Sequence, residues 1–361
     1  ISGSEVIETT SKTSYNGNYG LNASWTIYNG SKRLNTIKQE KLNNQAANLD
    51  VETSENSIQE SIAQIYIQIL YAAESVKVNE NTLQVSIAQR DRGQELLNAG
   101  SIAKSDLAQL EAQVSTDRYQ LVTAQATLQD YKLQLKQLLE LDGENEMNVY
   151  LPALSDENVL LPLPTKKDVY MSALTLRPEI EASKLSVEAS ELGIDIAKAG
   201  YLPTISLSAG IGTNHTSGSD FTFGEQVKNG WNNSIGVSVS VPIFNNRQTK
   251  SAVQKAKLQR ETSLLSLLDE QKTLYKTIEG LWLDANSAQQ RYAAANEKLK
   301  STQISYDLIS EQFNLGMKNT VELLTEKNNL LQAQQEQLQA KYMAILNTQL
   351  LKFYQGDKLA L

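Results

Sequence analysis

The side chains able to do chemistry in this 361-residue chain are few and poorly assembled for it. It has no cysteine and one histidine, His215, which stands among Thr and Ser in the run GTNHTSGS. A metal site needs more ligands than one imidazole. No Ser–His or Cys–His pattern surrounds His215, and no pair of carboxylates is singled out for acid–base work. The expectation is a protein that is not an enzyme and holds no cofactor and no metal, with His215 a plain loop residue. Two acids do stand out by position. Asp106 lies six residues after Gly100, and Glu322 lies six residues after Gly316. Lone acids near helix N-termini complement the helix dipole. Arranged as a ring around a pore they would favour cations.

The two acids correspond because the chain is written twice. Gly20 matches Gly236, Ser24 matches Ser240, Asn29 matches Asn245 and Lys41-Leu42 matches Lys257-Leu258, a constant offset of 216 residues. The same offset pairs Glu95, Asn98 and Gly100 with Glu311, Asn314 and Gly316, and later Leu135-Lys136 with Leu351-Lys352. A fixed period without insertion marks a duplicated structural unit. Two copies of equal length suit elements that lie side by side and end at one level.

Each unit opens on a strand. Leu21, Ala23, Trp25 and Ile27 alternate with Asn22, Ser24 and Thr26; Ile205, Leu207, Ala209 and Ile211 alternate with Ser and Thr; Ile235, Val237, Val239, Val241 and Ile243 alternate with Ser and Gly. Strict alternation predicts strands with unlike faces. A tilted strand of about 9–11 residues crosses a bilayer. The polar side is small, and Tyr19, Trp25, Tyr28, Tyr201, Trp231 and Phe244 cluster near strand ends, as interfacial aromatics do. Residues 212–233 read as a long polar external loop, and residues 1–18 as its counterpart. The offset calls for a fourth strand before the first residue, so the intact unit is expected to have four strands, three of them present. Four strands cannot close a barrel, and open edges are not tolerated in lipid, so subunits must share one.

Each strand region hands over to helices. Apolar residues recur by three and four from Asn29-Gly30 to about Asn98, as at Ile58, Ile62, Ile65, Ile69 and Val76, and from Ser105 to about Leu141 through Leu107, Leu110, Val114, Leu121 and Leu128. The copy runs over 246–314 and 320–354. An arm of ~70 residues would span roughly 100 Å as a helix. Such spacing over many turns means coiled-coil packing. Gly100 and Gly316 read as left-handed helix stops, Ser105 and Thr320 as N-caps of the returning helices. The domain reading is a loop and strand over 1–30, a helical hairpin over 31–141 with its tip near 98–105, and a proline-bearing connector ending in a helix over 142–200. It continues with strands and loop over 201–245, a second hairpin over 246–354 with its tip near 314–320, and a tail over 355–361. The fold class is mainly α with a transmembrane β part.

Composition narrows the function. Aromatics make up 6% of the residues and net charge is −8. The first suits long helices burying narrow stripes, and the second argues against a nucleic-acid partner, whose footprint would be basic. No apolar run reaches the length of a transmembrane helix.

Four segments in order then carry a likeness: Leu176-Arg-Pro-Glu-Ile180, Gly200-Tyr-Leu-Pro-Thr-Ile-Ser-Leu-Ser208, Gly236-Val-Ser-Val-Ser-Val-Pro-Ile-Phe-Asn245 and Phe313-Asn-Leu-Gly316. With the 216-residue repeat, the chain resembles the outer-membrane efflux protein family, the TolC-like exit ducts of Gram-negative bacteria, over its whole length. The resemblance implies a homotrimer whose 12-stranded barrel sits in outer-membrane lipid and continues as a helical tunnel through the periplasm. It implies a periplasmic adaptor meeting the tips near Gly100 and Gly316, and an inner-membrane pump. Glu322 and Asp106 would line the constriction, about six carboxylates in a trimer. Thr325 replaces a second acid that the family's type member carries, with Glu326 adjacent. Lys318, Ser105 and Asp106 would make gate contacts between hairpins, and Phe313 replaces a tyrosine whose hydroxyl bonds the acid there. The alternative is a structural or adhesive trimeric rod without transport.

Overall fold

The structure, a computed structural model, describes residues 13–141, 147–152 and 159–359. Strand β1 (Asn16–Asn29) leads through a turn to helix α1 (Lys32–Asn98) and its return α2 (Lys104–Leu138). Helices α3 (Lys166–Leu176) and α4 (Pro178–Lys198) follow, then β2 (Thr204–Thr216), the short α5 (Phe223–Asn229) and β3 (Asn232–Ser240). The second hairpin is α6 (Gln248–Asn314) and α7 (Thr320–Gln355). The duplication is legible in the backbone itself. Both long helices have 67 residues, and both begin and end 216 positions apart. Gly30 and Ser31 take positive φ of 66° and 66°, and their counterparts Asn246 and Arg247 take 50° and 64°. Gly100 and Gly316 sit at 73° and 74°. Left-handed residues stop one element and aim the next.

Contacts divide the chain into two compact units, Ile1–Ala46 with Ser183–Ser266, and Ala47–Ala182 with Leu267–Leu361. The first contains an antiparallel sheet in the order β1-β2-β3. Ala23 stands opposite Ala209, which stands opposite Ile235; Trp25, Leu207 and Val237 form the next row. Paired residues share a face, so these rows build one apolar face. It is bare: Leu21 is 71% exposed, Val237 67% and Ile235 83%. Asn22, Gly210 and Ser234, then Ser24, Ser208 and Gly236, form the other, small and polar face.

The second unit holds its core between helices. One cluster gathers Ile67 and Leu70 of α1 with Tyr292 of α6 and Tyr342, Ala344, Ile345 and Leu350 of α7. Another packs α3 and α4 against α6 and α7 through Val169, Ala173, Ile180, Leu274, Ile278 and Leu351. Arg177, between α3 and α4, is buried there. Its guanidinium meets Glu60 at 2.7 Å and Glu179 at 3.3 Å, and lies 3.8 Å from the Tyr354 ring centre. Pro178 explains the break, since the residue before proline is driven out of the helical region. The LRPE segment is thus a charge-and-ring clamp.

Several expectations need correction. The 212–233 segment is not all loop: β2 runs to Thr216, α5 occupies 223–229, and β3 starts at Asn232. Likewise Asn16–Asn18 are strand, while residues 1–12 of the expected loop lie outside the described residues. β3 stops at Ser240 rather than Ile243 because Pro242 has no N–H to give the ladder. In the first copy the matching place is a register shift between Thr26 and Tyr28, which breaks the strict alternation and sets Tyr28 opposite Ile205. The 142–180 stretch contains α3, capped where Thr165 Oγ1 accepts from the Asp168 N–H. Parts of that stretch, 142–146 and 153–158, and the tail residues 360–361 lie outside the described residues.

Candidate functional site

Both hairpin tips are built from one motif. In the first, the Gly100 N–H donates to Leu97 O at 2.9 Å and the Ser101 N–H to Leu96 O at 2.8 Å. In the second, Gly316 N–H donates to Phe313 O at 2.9 Å and Met317 N–H to Gln312 O at 2.8 Å. This double closure satisfies the last helical carbonyls and needs the left-handed residue that glycine supplies.

The returning helices start one or two residues earlier than their expected caps. The N-caps are Ala103 and Asn319, not Ser105 and Thr320. Asn319 Oδ1 accepts from the Glu322 N–H at 2.9 Å while Glu322 Oε2 accepts from the Asn319 N–H at 3.2 Å. That is a reciprocal cap satisfying two helix-end donors. Ala103 lacks the acceptor, so only half remains in the first copy, where the Ala103 N–H donates to Asp106 Oδ2 at 3.0 Å. The acids singled out by spacing are therefore the third residues of two equivalent helices. Thr320, at the first helical position, is buried, and its hydroxyl has no partner among the described residues.

Lys318 Nζ lies 2.6 Å from Glu322 Oε1, one turn along the same helix end. Hydrogen bonding from Lys318, with that of the Asn319 amide, holds the Glu322 carboxyl below the usual carboxylate range. The structure thus brings Lys318 to Glu322 within one chain; the proposed partners Ser105 and Asp106 sit in the equivalent first turn of α2. Phe313 points inward rather than to an acid. It is 2% exposed and packs with Leu110 and Leu323 under the tip. Its missing hydroxyl is consistent with that role. Glu326 accepts from the Ser305 hydroxyl at 3.0 Å.

Sequence reasoning missed the polar centre behind the tips. Lys327 of α7 and Asp117 of α2 are 3% and 1% exposed and form an ion pair, with Ser86 of α1 bonded to both. Gln113 donates to the second Asp117 oxygen at 2.9 Å. Burial presses the Lys327 ammonium below its ordinary range against the pull of Asp117. The signal was available: Asp117 lies three residues after Val114 and four before Leu121, squarely in the apolar stripe. Lys327 likewise lies four after Leu323 and three before Leu330. A charge in stripe register has to find a buried partner.

The six aromatics near the sheet, Tyr19, Trp25, Tyr28, Tyr201, Trp231 and Phe244, are all exposed. His215 stands over the Phe223 ring at 5.0 Å. Among the described residues no group of three or more His, Cys, Asp or Glu could hold a metal ion. Among them, too, no helix is long and apolar enough to cross a membrane, which bears on helices only.

Comparison with known proteins shows the family and the fold. The family model described as outer membrane efflux protein matches residues 1–140 and 169–356. The outer membrane efflux protein BepC of Brucella suis biovar 1 is 24% identical over 333 residues, covering 91% of this chain and 70% of that protein. The outer membrane protein TolC of Escherichia coli is 25% identical over 311 residues, covering 82% of this chain and 60% of that protein. A solved CusC structure superposes with a TM-score of 0.82 at 19% identity, over 98% of this chain and 81% of that one. The Campylobacter jejuni CmeC outer membrane channel gives 0.77 at 18% identity, over 97% and 79%. These likenesses establish the fold.

Proposed function

The chain belongs to the outer membrane efflux protein family, and from that premise we infer that it is an outer-membrane exit duct of a tripartite efflux or type I secretion system. It would pass substrates outward without chemistry, driven by an inner-membrane pump through a periplasmic adaptor. The observation that carries this reading is the two-faced sheet. Its apolar face is left bare by its own unit, and its opposite face is lined by Ser, Gly, Asn and Thr. A face such as Leu21, Trp25, Ile235, Val237 and Val239 suits hydrocarbon, and the small polar face suits a water-filled lumen. Open edges must be paired in lipid, which favours strands pooled among copies, twelve in a homotrimer with four per protomer.

In this reading the duplicated tips form the periplasmic constriction. Asp106 and Glu322, at equivalent turns, would give six carboxylates in a trimer. Glu322 is turned back on its own helix end and on Lys318, so part of its charge is already neutralised. Opening would exchange such local bonds for contacts with the adaptor, reached at the tips near Gly100 and Gly316. Ser105 and Lys318 would meet across neighbouring hairpins in the closed state. The test is the reversal potential in a salt gradient across a planar bilayer. The wild-type protein should prefer cations, and the combined Asp106→Asn and Glu322→Gln changes should abolish most of that preference. An unchanged reversal potential would remove these acids from the constriction.

A further inference from the structure

The connection between β2 and β3 has more structure than a polar loop requires, and it lies on a definite side of the sheet. Register decides the side. Gly17, Tyr19, Leu21, Ala23 and Trp25 stand opposite His215, Thr213, Ile211, Ala209 and Leu207, so Tyr19, Thr213 and His215 continue the apolar face. These are the residues that hold α5. The Tyr19 and Phe223 rings meet edge-on at 6.2 Å, and His215 and Phe223 at 5.0 Å. The Thr213 hydroxyl donates to Val227 O at 2.8 Å.

The rest of the connection is fastened as well. Gln226 clasps the Thr216 backbone, its Oε1 accepting from the Thr216 N–H at 2.9 Å and its Nε2 donating to Thr216 O at 3.2 Å. Glu225 is tied into the helix cap by the Thr222 N–H at 2.9 Å, which holds its ionised carboxylate at the helix end. α5 and its flanks turn three aromatic rings outward among the exposed polar residues Asp220, Thr222, Glu225 and Asn229. Phe221, Phe223 and Trp231 are 59%, 55% and 54% exposed, with Lys228 exposed beside them.

We propose that residues 217–231 form an interfacial foot: α5 lies on the lipid side of the sheet, at the headgroup level of the outer surface, and not over the lumen. Phe221, Phe223 and Trp231 enter the headgroup–acyl boundary, and Lys228 faces the anionic phosphates. The occupant is the lipid surface because this patch is continuous with the apolar face, row by row through Ile211, Ala209 and Leu207. Of these rings Trp231 carries the polar N–H that favours that depth, and phenylalanine is among the residues that interfacial helices turn to the acyl boundary. The inference rests on the reading that the sheet spans the outer membrane. A consequence is that this connection leaves the lumenal face of its own strands uncovered.

These 361 residues hold no cysteine, so a thiol introduced among them has no competitor there. Gly224 has open space around its Cα, so Gly224→Cys accepts a spin label without repacking. Ile235→Cys reports the apolar face and Ser238→Cys the polar face. The labelled proteins go into phosphatidylcholine–phosphatidylglycerol vesicles carrying a nickel-chelating headgroup lipid. Relaxation of the Gly224 label by the headgroup-bound nickel, at least several-fold stronger than for the Ser238 label, is the expected result. If the Ile235 label reports lipid while the Gly224 label behaves like the Ser238 label, the foot is overturned and the membrane reading stands. If the Ile235 label itself is aqueous, both fall.

Discussion

At Lys327 an ammonium has left water for the Asp117 carboxylate and the Ser86 hydroxyl, across three helices. Removing one partner of such a pair strands the other charge, at about 3–5 kcal/mol, whereas replacing both by apolar groups of similar size is often neutral or better. Lys327→Met alone should therefore lower the thermal unfolding midpoint sharply, and adding Asp117→Leu should restore most of it, followed by far-ultraviolet circular dichroism. Equal melting of wild type and the single variant would show that the pair fixes nothing. Glu322 carries a pH dependence. Its folded carboxyl is held below the ordinary range by Lys318 and the Asn319 amide, so this bonding is fully present above the unfolded value. It is lost as pH falls through the depressed folded value. The tip charge at Glu322 should thus survive acidification past the ordinary glutamate range. In an Asp106→Asn protein the residual cation preference should persist to that lower pH, read from reversal potentials.

Among the elements, the strand-to-helix turn is where the two copies differ in an instructive way. Gly30 takes φ of 66°, and a Cβ there would lie 2.9 Å from Ala199 O. Its counterpart Asn246 takes φ of 50°. Left-handed backbone costs most L-residues roughly 1–2 kcal/mol, and asparagine less. Gly30→Ala should destabilise the sheet-bearing unit by at least that amount, while Asn246→Gly should leave it nearly unchanged. Comparable losses in the two, by thermal unfolding in detergent, would contradict this account of the turn. Period and offset made the strands, both hairpins and both glycine stops legible in the sequence. Local competition hid the rest. Pro242 and the slip after Thr26 ended the alternation early, because hydrogen-bond supply overrides side-chain pattern. Asn319 displaced Thr320 as cap because its carboxamide reaches the Glu322 N–H. The tip acids were legible as a matched pair, but the buried Lys327–Asp117 centre was passed over. Each of its charges sits in stripe register on a different helix, and packing rather than local pattern sets its partner.

For the whole molecule, one chain carries a sheet whose apolar face its own unit leaves exposed, and two helical hairpins whose outgoing helices both have 67 residues. Sheet edges and the apolar face both call for surroundings that a single protomer in water does not provide. In the proposed function they are lipid outside, sister strands at the edges, and a water-filled path within. In that form the work of the path is selection and gating at the tips. Current through the protein itself tests this directly. The protein purified from outer membranes, shown to be trimeric and inserted, is placed in a planar bilayer. Discrete single-channel steps that grow when Lys318 and Glu322 are both replaced by uncharged residues are the predicted result. A bilayer that stays silent with the inserted trimer, in wild type and variant alike, would contradict the duct.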